Sequence, residues 1–371
     1  MVQPTHLSRR SFARLAAGAA AATALPWNGL AASPTASERL VRLSNNENPF
    51  GPAPAALEAI RATFADAGRY PDESAEELTR SVAGLHGVPP EQVLLGAGSG
   101  EILKWVAITF TGPGRMLVEA EPTFEALSRH TRLAGGAVTS VPLNARFEHD
   151  LPRMLDAARH ADLVYICNPN NPTATITPAS SLREFVAAVP AHTVILVDEA
   201  YHHYVTSPEY ATLMDMVPRH PNLIVARTFS KIFGMAGLRC GYCVSNPETI
   251  RRLSAHQGWD SVSQLTLAAA GASLGDERHV ADQRERNRAT RSFVRTEVER
   301  LGKTVLPSEA NFLMIDMGRD VSPIIAAFRD RGVDVGRRFA AMPQHLRVSI
   351  GKPEEMKRFV AELAHVARAN G

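Results

Sequence analysis

The stretch VILVDEAY, residues 194–201, places four apolar residues directly before a carboxylate. Similar apolar runs, each bounded by turn or helix signals, recur at residues 93–95, 116–118, 163–166 and 223–226. Apolar strands without alternation are typical of a parallel sheet that helices cover on both faces. The pattern therefore predicts an α/β fold in which Asp198 ends a central strand, at the edge where open sheets bind ligands.

The length and composition of the chain set limits on its class. A chain of 371 residues is long enough for two domains. The net charge of +2 gives no reason to expect nucleic acid or an anionic membrane as a partner. Cys240 and Cys243 form a C-x-x-C without a second pair or a nearby histidine. We interpret them as small packing residues and expect no metal site.

The predicted organisation has four parts. They are a leader (residues 1–33), an N-terminal arm (34–64), a large domain (65–245) and a small domain (246–371). In the small domain, two charged helical stretches, one ending at Arg300 and one spanning 354–369, are separated by strand-like runs at 312–315 and 346–350. This part therefore reads as a smaller α+β domain.

The leader contains a segment that resembles a targeting signal. Residues 8–12, SRRSF, resemble the twin-arginine export signal, and an uncharged apolar run follows at 15–25. That run is shorter than the roughly 20 residues that span a bilayer, so we expect no stable membrane anchor. The sequence predicts export to the periplasm through the twin-arginine pathway, with the leader cleaved or retained. The alternative is an alanine-rich N-terminal helix that begins with two arginines.

Four short segments lie at the ends of four of the five predicted strands. They are the glycine-rich turn at 96–101, the turn CNPNNPT at 167–173, the acidic strand end at 197–201, and TFSK at 228–231 with Arg239 eight residues on. Taken singly, each has an ordinary explanation: a tight turn, a helix cap or a solvated lysine. Taken together, they bring an anion-binding turn, a carboxylate and a lysine to one sheet edge.

In this combination the segments resemble the pyridoxal-phosphate (PLP) fold-type I aminotransferases, and most closely the histidinol-phosphate aminotransferase group. The resemblance runs from Arg42 to the C-terminus and includes segments 43–52, 70–72, 122–124 and 346–351. It implies a mostly parallel seven-stranded sheet covered by helices, a smaller α+β C-terminal domain, PLP as cofactor, and a homodimer with a shared active site.

The resemblance also implies catalytic roles. Lys231 would hold the cofactor as a Schiff base and, once released, move the substrate proton. Asp198 would pair with the pyridinium nitrogen. Asn171 and Tyr201 would hydrogen-bond the phenolate oxygen of the ring, and Phe124 would stack on the ring itself.

Further residues match the family's anion-binding positions. The cofactor phosphate would contact the amides of Ser99 and Gly100, the hydroxyl of Ser230, the guanidinium of Arg239 and, from the neighbouring subunit, Tyr70. The substrate carboxylate would be bound by Arg347, with Asn46 near it.

One segment departs from the family pattern. Where histidinol-phosphate enzymes carry an arginine for the substrate phosphate, in G-V-x-V-R, this chain has Gly336, followed by Arg337 and Arg338. Either arginine could replace the missing one, so the sequence does not predict a phosphorylated substrate. His202 and His203 could contact substrate or pack at a helix start.

The leading functional hypothesis is a transaminase. It would move an amino group between an L-amino acid, with glutamate as one partner, or a histidinol-phosphate-like amine, and a 2-oxo acid. A racemase, lyase or decarboxylase would use the same lysine and pyridinium pair, and stays an alternative. An exported binding protein without PLP is the third hypothesis.

Overall fold

The computed structural model describes residues 40–368, so the predicted leader lies outside the described residues. The described residues from Val41 onward belong to one compact unit. Within the described part of the chain, no helix is long and apolar enough to cross a membrane.

Twelve strands are found among these residues. They are β1 (Val41–Leu43), β2 (Val93–Gly96), β3 (Met116–Glu121), β4 (Ala137–Pro142), β5 (Leu163–Cys167), β6 (Val194–Asp198), β7 (Leu223–Thr228), β8 (Gly241–Val244), β9 (Thr304–Val305), β10 (Phe312–Asp316), β11 (Val333–Val335) and β12 (His345–Ser349).

The same residues form eleven α-helices. They are α1 (Pro54–Thr63), α2 (Asp72–His86), α3 (Ser99–Phe110), α4 (Ala126–Leu133), α5 (Leu151–Ala158), α6 (Ala179–Ala188), α7 (Pro247–Ser254), α8 (Gln264–Leu274), α9 (Glu277–Arg300), α10 (Ser322–Asp330) and α11 (Pro353–Arg368).

The largest sheet has seven strands in the order β2-β8-β7-β6-β5-β3-β4. Strand β8 runs antiparallel to both of its neighbours, and the other pairs are parallel. Cys167 lies opposite Asp198 in the register of β5 and β6. The mostly parallel α/β sheet is the predicted one, and it brings the carboxyl ends of β5, β6 and β7 to one edge.

Both faces of this sheet are buried, because its apolar residues alternate between two cores. Ile195 and Val197 of β6 pack in one core, whereas Leu196 packs in the other beside Trp105 of α3. Burying a large apolar side chain contributes about 1.5–3 kcal/mol. The two-sided burial explains why the strands read as unbroken apolar runs.

Two smaller sheets lie in the C-terminal part. Strands β12, β10 and β9 form an antiparallel sheet, and β1 pairs in parallel with β11. Strand β1 therefore ties the predicted N-terminal arm to residues near the other end of the chain. The two predicted charged helices are α9 and α11, and Phe328 stacks on Phe359 between α10 and α11 at 5.2 Å.

The helices that follow β8 pack on the large sheet. Leu253 of α7 and Leu267 of α8 are buried in the two cores that flank it. The division into residues 65–245 and 246–371 stays a prediction. Cys240 and Cys243 are buried with free thiols at the start of β8 and within it.

A buried ion pair supports the strand end beside Asp198. Arg227 of β7 donates to Glu199 at 2.8 Å, and the two side chains are 6% and 1% exposed. Glu199 also accepts a hydrogen bond from the Leu213 amide at 2.8 Å. Since an unpaired buried charge is costly, the pair fixes the chain that leaves β6.

Candidate active site

A cavity of about 420 Å³ opens at the carboxyl edge of the seven-stranded sheet. Every predicted site residue except Tyr70 lines it: Asn46, Ser99, Gly100, Phe124, Asn171, Asp198, Tyr201, Ser230, Lys231, Arg239 and Arg347. Four segments that are distant in sequence therefore meet in one place, as parallel strand ends require.

Asp198 lies at the base of the cavity, where β6 ends. Its Oδ2 accepts a hydrogen bond from the Tyr165 hydroxyl at 3.1 Å, and its Oδ1 accepts one from the Ala200 amide at 3.1 Å. Burial raises the pKa of Asp198 to about 6, and the Tyr165 hydrogen bond opposes that rise. The carboxyl group is therefore still mostly ionised at neutral pH, with a fixed orientation.

Lys231 reaches the same cavity from the loop after β7. Its Nζ donates to the main-chain oxygen of Asn46 at 3.1 Å and lies 5.5 Å from the centre of the Tyr201 ring. Desolvation, followed by the nearby Arg347 cation, lowers the pKa of Lys231 to about 8. A sizeable fraction of this amine is thus unprotonated, the form that reacts as a nucleophile or base.

One end of the cavity is built for an oxyanion. Arg239 donates to Ser230 Oγ and to the Ala97 carbonyl oxygen, both at 3.2 Å, and it has no acidic partner among residues 40–368. The N-terminus of α3, at Ser99, lies beside it. Gly98, with φ +85°, is required there because a Cβ would collide with the Arg239 guanidinium. A free guanidinium and a helix N-terminus together favour a phosphate group.

Arg347 of β12 is a second, more buried cation. Its Nη1 donates to Asn171 Oδ1 at 2.8 Å and its Nη2 to the Ser44 carbonyl oxygen at 2.7 Å. Its Nε has no partner within the described part of the chain. A guanidinium that is held by neutral oxygens and faces a cavity fits an incoming carboxylate.

Asn46 positions the hydroxyl of Tyr201. Its Nδ2 donates to the Tyr201 oxygen at 3.1 Å, and its Oδ1 accepts from Ser349 Oγ at 3.1 Å. The Tyr201 proton is therefore free to be donated to another acceptor. Burial raises the pKa of Tyr201 above its usual value, which keeps the phenol protonated.

Three predicted or candidate residues lie elsewhere. Tyr70 is 81% exposed and does not line the cavity, so its predicted reach to a neighbouring subunit stays a prediction. His202 and His203 also lie outside the cavity lining. Their rings contact each other at 4.8 Å and pack against Tyr210 and Phe233, which favours the packing interpretation of the two.

Two residues that do not line the cavity, Tyr165 and Ser349, support residues that do, and neither had an assigned role in the sequence. Tyr165 lies in an unbroken apolar strand, and Ser349 meets Asn46 only through folding. Arg337 lines the cavity, whereas Arg338 pairs with Asp320 at 2.8 Å and does not line it. Only the anomalous segment with Gly336 pointed to Arg337 from the sequence.

Residues 38–363 match the family model described as aminotransferase class I and II. The chain belongs to this family. Two curated relatives are histidinol-phosphate aminotransferases. The one from Symbiobacterium thermophilum is 40% identical over 87% of this chain and 90% of its own. Histidinol-phosphate aminotransferase 2 from Pseudomonas aeruginosa is 41% identical over 88% and 89%.

A solved relative supports the same conclusion. The histidinol-phosphate aminotransferase from Sinorhizobium meliloti, determined in complex with pyridoxal-5′-phosphate, is 30% identical, with a TM-score of 0.85 over 90% of this chain and 92% of that one. The predictions of the fold-type I architecture and of a PLP-dependent aminotransferase are confirmed.

We expect the lowered pKa of Lys231 to set the pH dependence of cofactor capture. In the cofactor-free protein, covalent capture of PLP should accelerate as the pH rises, with a midpoint at about pH 8 and a plateau above it, because only the neutral amine attacks. Stopped-flow absorbance from about pH 6 to about pH 11 measures this rate, with Nα-acetyl-lysine as the reference for an unperturbed amine. A midpoint equal to that of the reference would contradict the expectation.

Proposed function

We propose that this aminotransferase moves an amino group between an L-amino acid, with glutamate as one partner, and a 2-oxo acid, using PLP bound to Lys231. The observation that carries the proposal is that Lys231, Asp198 and Arg347 line one cavity. An amine, a buried carboxylate and a carboxylate-binding cation are the groups that this reaction needs.

The residues of the cavity fit the cofactor. Ser99, Ser230 and Arg239 would hold the phosphate, since Arg239 has no acidic partner in residues 40–368. Asp198 would hold the ring nitrogen, and Tyr201 would donate its free proton to the phenolic oxygen. Bound PLP supplies an electron sink for the electron pair left when the substrate α-carbon loses its proton.

Each protein group then has a definite task. Arg347, fixed by Asn171 and Ser44, orients the substrate through its carboxylate. The Lys231 amine has a pKa of about 8. It would take the proton from the substrate α-carbon and deliver it to the C4′ carbon of the cofactor. Asp198 keeps a proton on the ring nitrogen, because its carboxylate is ionised and buried.

The identity of the amino donor can be measured directly. A histidinol-phosphate-like amine is the second candidate substrate, on the names of the curated relatives. Mixing the holoenzyme with single amines and following the absorbance of the Lys231-bound cofactor ranks these candidates. Formation of one carbonyl product per amine consumed, with the nitrogen kept by the cofactor and no ammonia or carbon dioxide released, distinguishes amino transfer from racemisation, elimination or decarboxylation.

The substitution Lys231→Ala should lower the rate of amino transfer by at least about 10³-fold, because the covalent attachment and the proton carrier are both lost. Circular dichroism should stay that of the wild type. Lys104→Ala removes an exposed lysine of α3 and serves as the control, with an unchanged rate. A Lys231→Ala rate within tenfold of the wild type would exclude the proposed mechanism.

We further propose that the protein is a homodimer in which Tyr70 completes the active site of the partner subunit. The support is that Tyr70 matches a phosphate-contacting residue of the family and yet is 81% exposed, two residues before α2 begins. An aromatic side chain this exposed in a single chain fits a subunit interface.

A mixing experiment tests this arrangement. Lys231→Ala subunits lack the lysine, and Tyr70→Ala subunits lack the arm residue, so a hybrid dimer has one intact site only if Tyr70 acts across the interface. Equal mixing should then restore about a quarter of the wild-type activity. Half of the dimers are hybrids, and each hybrid has one intact site and one inactive site. Activity no higher than the mean of the two variants would refute the shared site.

We also propose export through the twin-arginine pathway to the periplasm, supported by the SRRSF segment at residues 8–12. The double substitution of Arg9 and Arg10 by lysine should retain the protein in the cytoplasm of a bacterial host. Arg14→Lys, in the same leader, is the control. Equal periplasmic fractions of the two variants would contradict export by this route.

A further inference from the structure

Two of the cations that line the cavity lie near the same aromatic ring. The guanidinium carbon of Arg337 lies 4.3 Å from the centre of the Phe339 ring, and that of Arg347 lies 5.1 Å from it. The separation of the two guanidinium groups therefore cannot exceed the sum of these distances. A small molecule with two anionic groups can contact both cations at once.

The backbone explains why the second cation is Arg337. The Gly336 amide donates to the Arg347 carbonyl oxygen at 2.8 Å. A Cβ at position 336 would lie 2.7 Å from that oxygen and 3.0 Å from the Arg347 Cβ. No side chain fits there, so the cation that faces the cavity is supplied one residue later.

The two cations differ in their partners. Arg347 is buried and is held by neutral oxygens. Arg337 is 55% exposed, and its Nη2 donates to Glu125 Oε2 at 2.6 Å. Glu125 comes from the loop after β3 and lines the same cavity. Without substrate, the charge of Arg337 is thus balanced by a residue of the chain itself.

The Arg337–Glu125 pair is easily broken. Ion pairs between exposed side chains contribute roughly 0.2–1 kcal/mol, so a substrate anion with good geometry can take the place of Glu125. A substrate with a neutral side chain leaves the pair intact. An aminotransferase admits two substrates in turn to one site. Arg337 is paired with the side-chain anion of one substrate and with Glu125 when the other substrate has a neutral side chain.

We propose that Glu125 sets the side-chain selectivity of the enzyme: it is the internal competitor for Arg337, displaced by dianionic amino and oxo acids and retained with monoanionic ones. The proposal rests on the proposed function, in that Arg347 binds the α-carboxylate. The substrate class is therefore dicarboxylic amino acids on one half-reaction and amino acids with uncharged side chains on the other.

Binding of two unreactive ligands to the holoenzyme tests the exchange. Glutarate is a dianion, and pentanoate is a monoanion of the same chain length. Glu125→Gln should tighten glutarate binding by about 2- to 5-fold, the factor that an exposed ion pair represents, and should leave pentanoate unchanged. Arg337→Gln should weaken glutarate binding by about 10-fold and should also leave pentanoate unchanged. Isothermal titration calorimetry measures the dissociation constants of both ligands for the wild type and for each variant.

The double variant separates competition from a general charge effect. If Glu125 acts by occupying Arg337, Glu125→Gln should give no gain for glutarate in the Arg337→Gln background. Glu121→Gln removes an exposed acid at the end of β3, four residues before Glu125, and Arg338→Gln removes the neighbouring arginine, which pairs with Asp320. Both controls should leave the ratio of glutarate to pentanoate affinity unchanged.

Two results would overturn the proposal. One is a gain for glutarate that persists without Arg337, and the other is an equal gain in Glu121→Gln. Both are binding measurements and need no turnover, so they are independent of the proposed function. Failure of the proposed function would appear separately, as a wild-type holoenzyme from which no amine removes the Lys231-bound cofactor absorbance.

Discussion

The structure depends on holding an amine and a carboxylate, Lys231 and Asp198, inside a poorly hydrated cavity. Burial disfavours the charged form of each group and is the main reason that the pKa of Asp198 is raised to about 6 and that of Lys231 is lowered to about 8. The Tyr165 hydroxyl and the Ala200 amide oppose this cost at the carboxylate. Behind it, the buried Glu199–Arg227 pair secures the chain that leaves β6. Reactivity at this site is therefore maintained by hydrogen bonds that the rest of the fold supplies.

Much of the large sheet could be predicted from the sequence, because its central strands are buried on both faces and read as unbroken apolar runs. The run 163–166 became β5, and 194–197 became β6 with Asp198 as its last residue. Strand β4 gave no such signal, since most of its side chains are not fully buried at the sheet edge. The pairing of β1 with β11 joins segments about 290 residues apart, and no local periodicity encodes a contact at that distance.

Some residues of the candidate site could likewise be predicted from the sequence, whereas the contacts that support them could not. Residues at strand ends, such as Asp198 and Lys231, could be placed from the sequence because topology alone brings strand ends together. The Tyr165–Asp198 and Asn46–Ser349 hydrogen bonds depend on side-chain direction and on chain segments that meet only after folding. The role of Gly336 was likewise out of reach, since the reason for it is the path of the Arg347 backbone beside it.

The pairing of β1 with β11 has a practical meaning for where the chain can be cut or extended. The main-chain oxygen of Asn46 accepts a hydrogen bond from the Lys231 amine, and Asn46 follows β1 by three residues. The cavity wall at Asn46 is therefore anchored through a strand that begins at Val41. A protease that cuts before this strand leaves the β1–β11 pairing intact, whereas one that cuts within the strand removes that pairing and leaves the wall held by the Asn46–Ser349 hydrogen bond. Purification tags belong upstream of the same point, with a spacer that keeps the strand edge free.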